Sequence, residues 1–198
     1  MVRPLPLLLG CLTALTVSRV SAQAPKDYTP ADVRFMSGMI YHHAQALLMA
    51  GWAQSHGAGP SVQTLADRIV ASQTDEIHLL SRWLADRHEP VPHPEPEHMT
   101  MAGMDATHMM PGMLSPGQLA QLDSARGPRF DELFLRFMIQ HHEGAITMVN
   151  DLFDAGAGEE NPVYKMASSV FADQTTEIER MQRMLAAELP APTTSKQD

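Results

Sequence analysis

The chain has 198 residues, 44% of them apolar but only 6% aromatic, with 15 methionines and a formal charge of −9. That length suits one domain, or two small halves sharing a core. The acidic balance leaves no electrostatic footprint for a nucleic-acid partner; it is compatible with cation binding, though a solvated acidic surface explains it equally well.

At the N-terminus, Arg3 precedes an apolar run from about Leu5 to Val17, and Val20-Ser21-Ala22 offers small residues to a signal peptidase. This predicts a secretory signal over residues 1–22, too short to span a bilayer comfortably. The mature protein is then secreted or periplasmic and not integral to a membrane. Leu8-Leu9-Gly10-Cys11 has the look of a lipoprotein signal, but the apolar stretch before it is very short, so anchoring at Cys11 is the lesser alternative. Cys11 is the only cysteine. Once it is removed, a metal site must use His, Met and carboxylates.

Thr29-Pro30 opens a helix, with Thr as N-cap and Pro at the first helical position. Its pattern runs to about His56, where Gly57, Gly59 and Pro60 break it, and a second helix runs from about Ser61 to His88. The stretch from Glu89 to Pro96 holds four prolines and cannot be helical. A Met-rich segment follows, then a short helix from Ser115-Pro116 to about Ala125. A third long helix covers about Arg129 to Ala155, and the last covers about Pro162 to Glu188. Residues 189–198 read as a disordered tail.

The first half of this pattern recurs in the second. DVRFMSGMIYHHAQALLM from Asp32 aligns without a gap on DELFLRFMIQHHEGAITM from Asp131, and QTDEIHLLSRWL from Gln73 aligns on QTTEIERMQRML from Gln174. The repeat predicts an all-α four-helix bundle over residues 29–188. It consists of hairpins 30–88 and 129–188, related by a pseudo-two-fold axis and joined by a Met/His-rich linker, 89–127.

At 100° per residue, Phe35, Met36, Met39, His42, His43, Ala46 and Met49 share one face of the first helix, and Phe134, Met138, His141, His142, Ala145 and Met148 share the matching face of the third. Tyr41, Ala44 and Gln45 fall on the other side. The second and fourth helices carry Gln73 and Glu76, and Gln174 and Glu177, within apolar stripes. With all stripes inward, four His, two Glu and two Gln meet near the middle. Burying them costs several kcal/mol unless they are hydrogen-bonded or ligated. The Glu and Gln either pair with the histidines, fixing register, or serve as alternative or supporting ligands. Met39/His42 and Met138/His141 each set a thioether beside an imidazole, a combination that favours copper, Cu(I) above all. A methionine stripe alone is more often core filler.

In the linker, His98, Met99, Met101, Met104, His108, Met109, Met110 and Met113 fall close together among Pro, Gly and Thr, so these methionines cannot all be helical core. They form either a hydrophobic flap or a flexible trap for soft metal. His56, His78, His88 and His93 read as surface or cap residues.

MIYHHAQA, MIQHHEGA, the Met110–Met113 Met-Pro-Gly-Met run and the two Gln-x-x-Glu-Ile segments resemble the bacterial domain of unknown function 305 family. The resemblance implies a ferritin-like, exported protein. It also implies copper binding through Met39, His42, His43, Met138, His141, His142 and the Met-rich loop.

Three functions follow. The first is a copper-binding buffer, sequestering protein or chaperone of the cell envelope, taking Cu(I) or Cu(II) and passing it to a transfer partner or acting as a homo-oligomer. The second is a di-metal oxidoreductase using iron or manganese at His42, His43, His141, His142, Glu76 and Glu177; the Glu-x-x-His pairs of such bundles are missing from the long helices. The third is a metal-free structural or interaction module. No Gly-rich phosphate loop, G-x-S-x-G elbow or H-E-x-x-H motif marks an enzyme.

Overall fold

The computed structural model describes residues 27–94 and 110–188. The signal segment with Cys11, most of the Met-rich segment (His98, Met99, Met101, Met104, His108 and Met109) and the tail lie outside the described residues. The protein is all-α. Four long helices, α1 (Pro30–Gly51), α2 (Pro60–Asp86), α4 (Pro128–Asp154) and α5 (Asn161–Glu188), are accompanied by the short α3 (Pro116–Ser124). The starts follow from the caps. Thr29 and Asp32 close a capping box on α1, Ser115 and Gln118 close one on α3, and Pro occupies the first turn of each.

α1 packs on α2 and α4 on α5, and the two hairpins meet where α1 runs against α4. Gly38 lies beside Met148, while His141 touches His42. Residue numbers fall along one helix as they rise along the other, so α1 and α4 are antiparallel. The two halves repeat each other's contacts. The Asp131 carboxylate accepts from Gly59 N at 3.0 and 3.2 Å, and the Asp32 carboxylate accepts from Gly158 N at 2.7 Å. Each aspartate thus starts a helix of one hairpin and holds the turn of the other. These cross-staples explain why both carboxylates are buried: a buried charge needs hydrogen bonds.

The core is split in two. One cluster gathers Met49, Leu65, Ile69, Leu122, Phe130, Phe134, Met138 and Met181. The other gathers Phe35, Met36, Met39, Ile40, Leu80, Trp83, Val149 and Val170. His42, His43, His141 and His142, all fully buried, belong to neither. A polar layer separates two apolar ones.

Two expectations are corrected. Gln45, assigned to the outer side of α1, is fully buried. Its amide brackets the linker, accepting from Leu114 N at 2.7 Å and donating to Leu114 O at 3.2 Å. A two-faced helical wheel fails here because α1 is covered by α2, by α4 and by the linker. His56 is not a surface residue either. It is 5% exposed, and its Nε2 lies 2.8 Å from Asp123 O, tying the α1–α2 turn to the end of α3. His78, His88 and His93 are exposed, as expected.

Candidate metal centre

The pairs His42-His43 and His141-His142 sit where α1 crosses α4. The His42 and His141 rings lie 3.8 Å apart between centroids, and each is about 6 Å from its own neighbour, at 6.4 Å for His43 and 6.2 Å for His142. Met39 and Met138, both fully buried, flank this layer from opposite apolar clusters. Met49 joins the cluster of Met138, and the half-buried Met148 joins that of Met39.

Every Nε2 faces an oxygen. His42 Nε2 donates to Pro111 O at 3.0 Å and His141 Nε2 donates to His42 O at 3.0 Å. A carbonyl oxygen only accepts, so both nitrogens carry the proton. His142 Nε2 donates to Glu177 Oε2 at 2.6 Å. Its counterpart His43 Nε2 stands 2.6 Å from Glu76 Oε2 without the alignment of a hydrogen bond. In His42 and His141, with Nε2 protonated, the lone pair of the neutral ring lies on Nδ1. All four Nδ1 atoms are buried and have no partner among the described residues. A carboxylate or carbonyl behind one imidazole nitrogen, fixing its tautomer, is how proteins prepare the other nitrogen as a metal ligand.

Burial, and next the charge of neighbouring His43, lowers the His42 pKa from 6.5 to about 3. Burial and then His42 hold His141 well below the usual imidazole range. Both rings are therefore neutral at pH 7 and keep their lone pairs. Gln73 and Gln174 lie one turn before Glu76 and Glu177, and both amide atoms of Gln73 and Oε1 of Gln174 are buried without a partner. Among the described residues, no three His, Cys, Asp or Glu side chains form a preformed metal-holding group. The donors of this layer are the imidazole pairs, with buried thioethers in the apolar clusters on either side.

The linker closes the layer on the α1/α4 side. The Met110–Leu114 strap is held by His42 at Pro111 O, by Gln45 at Leu114, and by Gln140 Nε2 donating to Gly112 O at 3.2 Å. Two departures from the repeat make room for it. Gly144 stands where the first half has Gln45, and a Cβ there would meet Pro111 O at 2.1 Å. Gly38 stands where the second half has Phe137, and a Cβ there would lie 3.2 Å from Met110 Sδ and 3.3 Å from Met148 Cε. Met110 and Met148 thus share one notch, and Met113, within the strap, is buried. The departures are visible in the aligned halves, although only the fold shows what fills them.

The model for the Domain of unknown function (DUF305) matches residues 32–185. The chain belongs to the DUF305 family. A DUF305 fragment from Deinococcus radiodurans is 30% identical with a TM-score of 0.67, over 81% of this chain and 98% of that one. A DUF305 protein from Streptomyces coelicolor, assigned as secreted, is 26% identical with a TM-score of 0.67, over 80% and 93%. CopM in its Cu(II)-bound form is 28% identical with a TM-score of 0.64, over 80% and 97%. CopM has also been solved with Cu(I) and with silver; the Cu(I)-bound form is 26% identical with a TM-score of 0.61, over 80% and 98%. The uncharacterized protein L153 of Acanthamoeba polyphaga mimivirus is 34% identical over 56 residues. That match covers 28% of this chain, which spans just over a third (37%) of this curated relative's length. In this DUF305 chain, no helix among the described residues is long and apolar enough to cross a membrane.

Proposed function

We propose that this protein is exported and binds copper, chiefly Cu(I), through histidine and methionine, to buffer or sequester it in the cell envelope. The observation that carries this reading is the set of four buried, unpartnered Nδ1 atoms flanked by Met39 and Met138. Each orphaned acceptor costs about 1–3 kcal/mol in the metal-free protein, a cost that ligation removes. Neutral imidazole and thioether are the donors a soft ion selects. His42, His43, His141 and His142 would ligate through Nδ1, with Met39 and Met138 beside them, while Pro111 O, His42 O, Glu76 and Glu177 orient the rings. Met49 and Met148 extend the thioether set. Met110, Met113 and the His98–Met109 segment would collect the ion and bring it to the strap. CopM, whose structures hold Cu(I), Cu(II) and silver, and the secreted Streptomyces coelicolor relative support the metal and the compartment.

A metal-free module is the second reading. It rests on the His142–Glu177 hydrogen bond, which already satisfies one end of that ring. An iron or manganese centre would require Glu76 and Glu177 to leave the histidines and converge.

Anaerobic titration of the protein from Gln23 onward with Cu(I), against a competing chelator and in parallel with Fe(II) and Mn(II), separates the three. The expected result is tight Cu(I) binding with little response to the others. Two equivalents of Fe(II) or Mn(II) without Cu(I) would favour the di-metal oxidoreductase, and no binding of any metal would leave the structural module.

A further inference from the structure

Two clefts open between α2 and α5, toward opposite ends of α2. One, of about 490 Å³, is lined by Thr64, Leu65, Arg68, Arg180, Arg183 and Met184. The other, of about 330 Å³, is lined by Glu76, Leu79, Trp83, Lys165, Met166 and Ser169. In the register that sets Gln73 on Gln174, these are the same cleft made twice. Leu65 matches Met166, Met184 matches Trp83 and Thr64 matches Lys165. Their chemistry differs where Arg180 replaces Leu79 and Arg68 replaces Ser169.

The comparison within one chain shows that the fold does not need these two arginines, because the equivalent positions hold an exposed leucine and an exposed serine. Nor are the arginines used for pairing. Among the described residues, Arg68 and Arg180 have no hydrogen bond or ion pair, and Arg180 Nε is buried without a partner. Arg183 has only an exposed contact of 3.7 Å with Glu179, which contributes little. A buried donor without a partner is uncommon and calls for one. The chain carries 14 basic residues and a net charge of −9, so an anion gains nothing from the overall field. Three guanidinium groups around one cleft are a local exception.

We propose that this arginine cleft binds a small organic polyanion, one that presents two or more carboxylate or phosphate groups. Guanidinium forks match both groups bidentately. Leu65 and Met184 supply an apolar wall for the carbon frame between the charges, and the cleft lies in the size range of small-ligand sites. The site is separate from the histidine layer and does not depend on copper binding.

Calorimetric titration of the metal-free protein at low ionic strength tests this, with inorganic pyrophosphate and, separately, tricarballylate as probes. The expected result is saturable binding of one equivalent, with Kd on the order of 1 mM or tighter, weakening as salt is added. Binding of pyrophosphate alone assigns a phosphate ligand, and binding of tricarballylate alone assigns a carboxylate; either supports the site. Arg68→Ser with Arg180→Leu installs the residues of the sister cleft and should lower affinity about 20-fold or more without shifting the melting temperature. Arg68→Ser alone, at an exposed position, should lower it about fivefold, while Arg136→Ser, outside the cleft, should leave it unchanged. No saturable binding of either probe, or affinity unaltered by Arg68→Ser, would overturn the proposal.

Discussion

Replacing Gly144 by alanine puts a methyl group into the strap. In an open helix this change is favourable by about 0.5–1 kcal/mol, because alanine loses less conformational entropy. Here the new Cβ would meet Pro111 O at 2.1 Å, Pro111 C at 2.4 Å and Gly112 Cα at 2.5 Å. All three are backbone atoms, so no rotamer change relieves the clash. Overpacking of this kind costs about 1–3 kcal/mol. Moving Pro111 away also strands the buried His42 Nε2–H, at a further cost of about 1–3 kcal/mol. Net of the helix gain, Gly144→Ala should destabilise by about 1–5 kcal/mol. Gly51 has nothing within 4 Å of its would-be Cβ, and Gly51→Ala should leave stability unchanged or raise it by up to about 1 kcal/mol. Urea unfolding of the metal-free proteins, followed by circular dichroism, measures both. If Gly144→Ala is as stable as the parent, the strap is not docked on α4 as described.

Further outcomes follow from the same contacts. His42 folds with its pKa lowered from 6.5 to about 3, and His141 is lowered too. The unfolded rings therefore take up protons that the folded ones exclude, and stability falls as pH drops below the unfolded value of about 6.5. From pH 7 to pH 5 the loss from His42 should be about 2 kcal/mol, with a further loss from His141 in the same direction, read from urea midpoints; equal midpoints would show that these imidazoles are not buried neutral. Asp131→Ala removes a charge-assisted staple to Gly59 and should cost about 1.5–3 kcal/mol. Asp32→Ala removes the equivalent staple and a capping box as well, so its melting temperature should fall further. A smaller loss for Asp32 than for Asp131 would contradict that ordering. Alanine at His42, His43, His141 and His142 together should abolish metal binding in the bundle and leave the Met-rich segment able to bind. Unchanged stoichiometry and affinity in a helical quadruple variant would remove the bundle from the metal chemistry.

The features legible in the sequence were those with local causes. Helix starts followed from Thr29-Pro30 and Ser115-Pro116, because capping is written within a few residues. The inward direction of the His-His pairs followed from helical period, and the pairing of halves from the repeat. The features that were not legible have tertiary causes. Gln45 read as outer because nothing in its own helix announces a strap lying across it. His56 read as a cap because its partner, Asp123, is far away in the chain. Asp32 and Asp131 head the two aligned repeat segments, but their grip on the opposite hairpin depends on how the hairpins cross. The positions that broke the internal repeat, Gly38 and Gly144 in one place and Arg68 and Arg180 in another, proved as informative as those that kept it.

The central claim is that the four bundle imidazoles hold their protons on Nε2 and offer Nδ1 to copper. Long-range proton–nitrogen correlation spectra of labelled protein test it directly, first metal-free and then with Cu(I) added anaerobically. The expected metal-free spectrum shows protonated Nε2 and bare Nδ1 for His42, His43, His141 and His142, and Cu(I) should shift the Nδ1 resonances while Nε2 stays protonated. Copper that binds while all four Nδ1 resonances stay in place, or a metal-free protein with its protons on Nδ1, would contradict it.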